Sequence, residues 1–194
     1  MGKKDYSSGN TPANRQRLLE YKQDDKWVVE FLGRSQIGHI ATRWDEQPFI
    51  TPSTFLYDGE ERKIYFHSNR VGRISENVER HPDVCFETSE YGQFLPSNIA
   101  LEFSMQYESV IVFGKVEIVE NEDEKRKALY GLIEKYFPGM NPGEEFRPVT
   151  EKEMKRTSVY AIKIESWSGK RNWEELAEQS DDWKPLDKMW FKIS

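Results

Sequence analysis

Cysteine is nearly missing from this chain of 194 residues, in which Cys85 stands alone. One thiol cannot close an intramolecular disulfide or supply a cysteine-cluster metal site. It sits in Val84-Cys85-Phe86, a run that reads as strand, so a buried inert thiol is expected rather than a nucleophile. Histidine is scarce as well. His39, His67 and His81 are scattered and offer no zinc-ligand spacing, and no Ser-His-Asp or Cys-His set suggests itself. Positive charge is not in excess: 28 Lys+Arg against 34 Asp+Glu leave a formal net charge of -6, unlike the basic footprint of a nucleic-acid binder. No apolar run approaches the roughly 20 residues of a membrane-spanning helix. Met1 to Asn10 is polar, without the apolar segment of a secretory signal. A soluble, cytoplasmic protein with neither nucleic-acid nor membrane partner is the expectation. No G-x-G-x-x-G occurs, which argues against a Rossmann dinucleotide site.

What the chain has is rings: Trp 6, Tyr 9 and Phe 11 within a hydrophobic fraction of 37%. That suffices for one globular domain with an aromatic core or pocket and is short for two. Residues 1–14 carry Gly, Ser, Asn and Pro12 without periodicity and read as a disordered tail. Asp24 or Asp25 caps a helix with Trp27, Val28, Phe31 and Leu32 on one face, stopped by Gly33. Six strands are expected: Ile37 to Thr42, Phe49 to Tyr57, Ile64 to His67, Val84 to Thr88, Ser109 to Val119 and Ser158 to Trp167. A helix over 71–80 carries Val71, Ile74 and Val78 at helical spacing. Tyr91 to Met105 reads as a long loop with some strand. Asn121 with Glu124 resembles a capping box before a helix that buries Leu129, Leu132, Ile133 and Tyr136. A short helix is expected around Glu151 to Lys155, and another at Trp173 to Gln179 in the acidic, aromatic extension 173–194. These elements, mostly joined by short turns, predict a mainly β fold, an antiparallel barrel with appended helices over 15–172.

The sharpest local feature is Ile64-Tyr65-Phe66-His67-Ser68-Asn69-Arg70-Val71-Gly72-Arg73. A strand ends in a polar turn just as a helix begins, so a hydroxyl, backbone N–H groups, a helix N-terminus and two guanidinium groups meet in one place. That set suits a phosphate. On spacing alone an ordinary strand–helix junction with two solvated arginines explains it as well.

The order of further motifs carries a resemblance. Ile40-Ala41-Thr42, Pro52-Ser53-Thr54-Phe55-Leu56-Tyr57-Asp58-Gly59, Ile64 to Ser68, Gly72-Arg73, Pro82-Asp83-Val84-Cys85-Phe86, Ser109 to Lys115 and Ser168-Gly169-Lys170-Arg171 together resemble the flavin split-barrel superfamily. Within it the chain looks most like the pyridoxamine 5'-phosphate oxidase-related proteins that include the 5-nitroimidazole-resistance (Nim) proteins, over roughly Trp27 to Asn172. The resemblance implies a six-stranded antiparallel split barrel that binds FMN at a homodimer interface. It places the flavin ring against Ala41, Thr42, Ser53 and Thr54, and the phosphate at His67, Ser68, Gly72 and Arg73. Ser109 falls near the flavin, and Trp167 and Lys170 near the cofactor of the partner subunit; Trp167 as a plain core or interface aromatic is an equal alternative. His67 is read as a binding residue first and a weak candidate for proton transfer. The richer arginine set of classical pyridoxamine phosphate oxidases has no place in this sequence, which argues against vitamin B6 phosphates as substrates.

The function so implied is an FMN-dependent oxidoreductase, a homodimer with shared flavin sites, passing electrons from NADH or NADPH to a small nitroaromatic or quinone-like acceptor. A flavin binder without turnover and a haem-binding split-barrel protein are the alternatives.

Overall fold

The computed structural model describes residues 15, 16 and 18–192; the tail expected over 1–14 lies outside them. Among the described residues the chain builds one antiparallel sheet of eight strands. These are β1 (Lys22–Gln23), β2 (Ile37–Trp44), β3 (Gln47–Thr54), β4 (Leu56–Asp58), β5 (Lys63–Asn69), β6 (Asp83–Leu95), β7 (Ser104–Ile118) and β8 (Thr157–Asn172). Their order is β3-β2-β6-β7-β8-β5-β4, with β1 on the far end of β8. The curled sheet brings β3 beside β5 without a ladder between them, and that gap is the split of the barrel.

Alternation drives the curl. Along β7, Val110, Val112 and Val116 point inward while Ser109, Ile111, Lys115 and Glu117 point out. The interior is filled by Ile40, Phe55, Ile64, Phe66, Phe86, Tyr160 and Ile162, all fully buried. Phe55 meets Phe86 edge-on at 4.8 Å, and Phe66 stacks on Tyr160 at 4.9 Å. Gly38 is needed for this packing, because a Cβ there would lie 2.2 Å from the Phe86 ring.

Four helices plug and flank the barrel: α1 (Asp25–Arg34), α2 (Arg73–Arg80), α3 (Glu122–Tyr136) and α4 (Glu151–Arg156). Asp24 caps α1 by accepting from the Trp27 N–H at 2.8 Å. The helix runs one residue past Gly33, because Ser35 closes it with both its N–H and its hydroxyl on the Phe31 carbonyl. Asn121 caps α3, but Glu124 does not complete the box; its carboxylate takes Lys63 Nζ at 2.8 Å and Tyr65 OH at 2.7 Å instead. Thr150 and Glu153 do form a full capping box at α4.

Eight strands replace the six expected. The single strand foreseen over Phe49 to Tyr57 is interrupted at Phe55, whose side chain dives into the core and whose N–H and C=O both bond to the Tyr136 hydroxyl, at 3.0 and 3.1 Å. β1 is the other addition, two residues paired to Lys170 and Gly169. Tyr91 to Met105 is less loop than expected, since β6 and β7 extend the hairpin to Leu95 and Ser104, with a register shift between Tyr91 and Phe94. The helix foreseen at Trp173 to Gln179 is absent. That stretch is strapped to the hairpin end instead: Ser97 Oγ donates to the Glu178 carbonyl at 2.6 Å, and Asn98 bonds residues 179 and 180. Backbone groups bound this way are unavailable for helical pairing.

Candidate functional site

Two neighbouring features on β5 and its exit make the candidate site. The first is the turn into α2. Gly72 occupies the N-cap and contributes no side-chain acceptor, so the N–H groups of the first turn face outward with the positive end of the helix. The space where a Cβ of Gly72 would stand is open to 4 Å. Arg73 is exposed, its guanidinium 4.8 Å from the Trp44 ring and 5.3 Å from Phe49 at the β2–β3 hairpin. Neither Arg73 nor Arg70 forms an ion pair among the described residues. Arg80, by contrast, is engaged by Asp45, whose carboxylate it holds below the usual range. The turn therefore keeps two unneutralised guanidinium groups beside a helix N-terminus and an open backbone, which fits a phosphate.

The second feature is a cleft of about 510 Å³ at the barrel split. Its floor is Thr54 at the end of β3 and His67 on β5; its roof is α3, with Leu129, Tyr130, Ile133 and Tyr136. Phe137, Phe146 and Val149 close one side. Successive strand residues face opposite ways, so His67 shares the α3 side with Tyr65, while Ser68 lies on the face of Phe66. The loop over the cleft is tied down by Arg147, which donates to Glu153 at 2.7 Å, and by the Val149 N–H, which donates to Tyr130 OH at 3.2 Å. Arg147 and the Thr150 hydrogen bonds hold the Glu153 carboxyl down to about 2. Tyr136 OH is already engaged by Phe55 and Gln36, and burial raises its pKa.

The sequence-derived residues separate into four groups. Ser68, Gly72 and Arg73 share the turn. Thr54 and His67 share the cleft, and Ser53 lies one residue up β3, opposite Gly38. Ala41 and Thr42 belong to β2, where Thr42 is buried with its hydroxyl accepting from Asn77 Nδ2 at 2.9 Å; its side chain anchors α2 to the barrel and only its backbone is left for a ligand. Ser109 and Lys170 are direct register partners on β7 and β8. His67 pairs with Val159, and the 11 residues from there to Lys170 span about 36 Å of extended strand. Lys170 lies over Tyr107 and Tyr21, at 4.9 and 5.7 Å. Trp167 donates to Asp25 at 2.8 Å and is covered by Arg62 at 4.5 Å. Within one chain this last group does not meet the turn.

The walls of the cleft are what the sequence hid. Leu129, Leu132, Ile133 and Tyr136 are expected from the sequence as the core face of their helix. In the structure Leu132 is buried as expected, joined by Ala128, while Leu129, Ile133 and Tyr136 are only partly covered. One continuous apolar face running from Ala128 round to Ile133, wider than the core contact uses, was the available signal.

The fold and sequence point the same way. No curated protein sequence matches the chain. The structure of the flavocytochrome Anf3 from Azotobacter vinelandii superposes with a TM-score of 0.76 at 25% identity, covering 87% of this chain and 76% of that one. An FAD- and haem-binding protein from Mycobacterium smegmatis gives 0.74 at 21% identity, covering 84% and 78%. A putative 5-nitroimidazole antibiotic resistance protein from Bacteroides thetaiotaomicron gives 0.64 at 21%, covering 78% and 90%. No helix among the described residues is long and apolar enough to cross a membrane. Residues 24–171, from the cap of α1 to the penultimate residue of β8, match the sequence profile described as pyridoxamine 5'-phosphate oxidase, and the chain belongs to that family.

Proposed function

We propose that the chain is a flavin-dependent oxidoreductase that takes FMN, with the phosphate on the Ser68–Arg73 turn and the ring along the split. The observation that carries this reading is the turn itself: unneutralised Arg70 and Arg73, the uncapped start of α2 and the open flank of Gly72, in a chain of this family. Arg73 and the α2 N–H groups neutralise and orient the phosphate. The backbone of Ser53 and Thr54 lies along the ring, and His67 borders it on the cleft side. The bound flavin supplies the redox chemistry, taking electrons from NADH or NADPH and passing them to a small nitroaromatic or quinone-like acceptor. Ser109 and Lys170, about 36 Å of strand away, and Trp167, about 26 Å away, complete the site from a second copy of the chain in a homodimer.

The test is FMN affinity. Two charge-assisted hydrogen bonds of about 1.5–3 kcal/mol each predict a loss of at least about a hundredfold when Ser68→Ala and Arg73→Ala are combined. Unchanged affinity removes the phosphate from this turn. Sedimentation of the flavin-loaded protein as a single chain removes the shared site.

A second reading adds haem to the flavin. The apolar cleft favours it, being distinct from the phosphate turn, and so does the 25% identity with a flavocytochrome. The visible spectrum separates the outcomes, since flavin bands with a Soret band mean both groups and flavin bands alone mean the first reading.

A further inference from the structure

We propose that the cleft beneath α3 is a haem site and that His67 Nε2 is the axial ligand of its iron. The proposal rests on the second reading above and assigns it a place and a ligand.

The donor set is the first argument. Among the groups lining the cleft, His67 alone offers an imidazole, and Tyr130 and Tyr136 are the other side chains of a type that haem iron takes. The other polar groups are committed. Tyr130 OH accepts from the Val149 N–H, Tyr136 OH is engaged by Phe55 and Gln36, and Glu153 is held by Arg147 and Thr150. His67 itself has no hydrogen bond or ion pair among the described residues, although it is exposed at the cleft floor. An imidazole that does nothing for the fold is available for a ligand.

Shape and polarity are the second argument. A volume of about 510 Å³ falls within the roughly 300–1,000 Å³ of small-molecule sites, and Leu129, Ile133 and Phe146 make the walls apolar, as a porphyrin face requires. At the rim, Arg147 offers a guanidinium that a propionate can share with Glu153. The other large apolar recess, at Phe94, Met105 and Trp190, contains no imidazole.

Backbone geometry supplies the third argument. His67 precedes Ser68 directly, but strand alternation turns the two side chains to opposite faces of β5. A ligand on His67 Nε2 therefore leaves the phosphate turn clear.

Haem is titrated into the purified full chain loaded with FMN, and the Soret band is followed alongside the flavin bands and circular dichroism. One haem per chain is expected. His67→Ala should weaken haem binding by at least about tenfold, and added imidazole should restore the wild-type Soret band to His67→Gly. Ile133→Trp, which fills the cleft while keeping the imidazole, should also weaken binding. No haem uptake by the wild-type chain overturns the proposal, as does uptake that His67→Ala leaves intact. Haem held through His67 by a chain that refuses FMN upholds this site and overturns the flavin reading instead, so the two failures are told apart.

Discussion

Lys135 is the most unusual charge in the fold, and its removal should stabilise the protein. It lies on α3 with Nζ 3.7 Å from the centre of the Phe55 ring, 5.4 Å from Tyr136 and 3.5 Å from the Leu32 carbonyl. Among the described residues no carboxylate pairs with it, and burial pulls its pKa down from 10.5 to about 8. That interval corresponds to about 3 kcal/mol of penalty on the charged form. The Phe55 face returns about 1–2 kcal/mol of it through the ring quadrupole, which leaves roughly 1–2 kcal/mol against the fold at pH 7. Between about pH 8 and 10.5 the unfolded chain keeps a proton on this lysine that the folded chain releases. The native state thus gains on the unfolded one as pH rises through that window. Lys135→Met, of similar length and without charge, should raise stability by roughly 1–2 kcal/mol at pH 7, and the gain should shrink toward pH 10.5. Urea unfolding of both proteins at pH 7 and pH 10 measures this, and subtracting one from the other cancels the remaining titrating groups. A difference that stays constant with pH refutes the desolvation argument; a variant less stable at pH 7 shows that the ring contact outweighs burial.

Two further substitutions test the seam between the barrel and α3. Tyr136→Phe deprives the Phe55 N–H of its acceptor and should cost about 2 kcal/mol, with faster hydrogen exchange at the Phe55 amide; a protected Phe55 amide in the variant refutes that account of the β3–β4 break. Lys63 and then Tyr65 hold the Glu124 carboxyl below its ordinary range. Their contribution is present above the unfolded carboxylate pKa and lost as pH falls through the depressed folded value. With Glu124 about a third exposed, Glu124→Gln should cost only about 1 kcal/mol at pH 7 and nothing near pH 2, read as a urea midpoint at each pH. An equal cost at both pH values means that shape rather than charge is at stake.

Local physics made much of this fold legible. Val110, Val112 and Val116 mark β7 by alternation alone, and Asp24, Asn121 and Thr150 mark helix starts that the structure keeps. What escaped depends on partners far along the chain. The break at Phe55 needs a hydroxyl 81 residues away, and the extended course of 173–180 needs Ser97 and Asn98, more than 80 residues upstream. Ser109 and Lys170 become neighbours only once β7 and β8 pair. The turn from Ser68 to Arg73 was readable as a cluster of donors because its groups lie within a few residues of one another. The cleft was not, because its walls come from β3, β5, α3 and the loop after it.

β5 gives the site its logic. As the strand beside the split, it has one face in the barrel core, with Ile64 and Phe66 fully buried, and one face toward α3, with Tyr65 against Ala128. A strand that was central on both faces would have to be apolar throughout. This one is buried only to Phe66, so its last residues, His67, Ser68 and Asn69, escape that requirement and can be polar. Because the escape happens where alternation still operates, those residues are dealt to two different places: an imidazole to the apolar cleft, a hydroxyl to the turn where α2 begins. The pairing His67↔Val159 and Ser68↔Ser158 fixes this division, since a slip of one residue against β8 would exchange the two faces and bury the imidazole in place of Phe66. The same ladder that secures the barrel therefore decides which group faces the cleft under α3 and which faces the turn into α2.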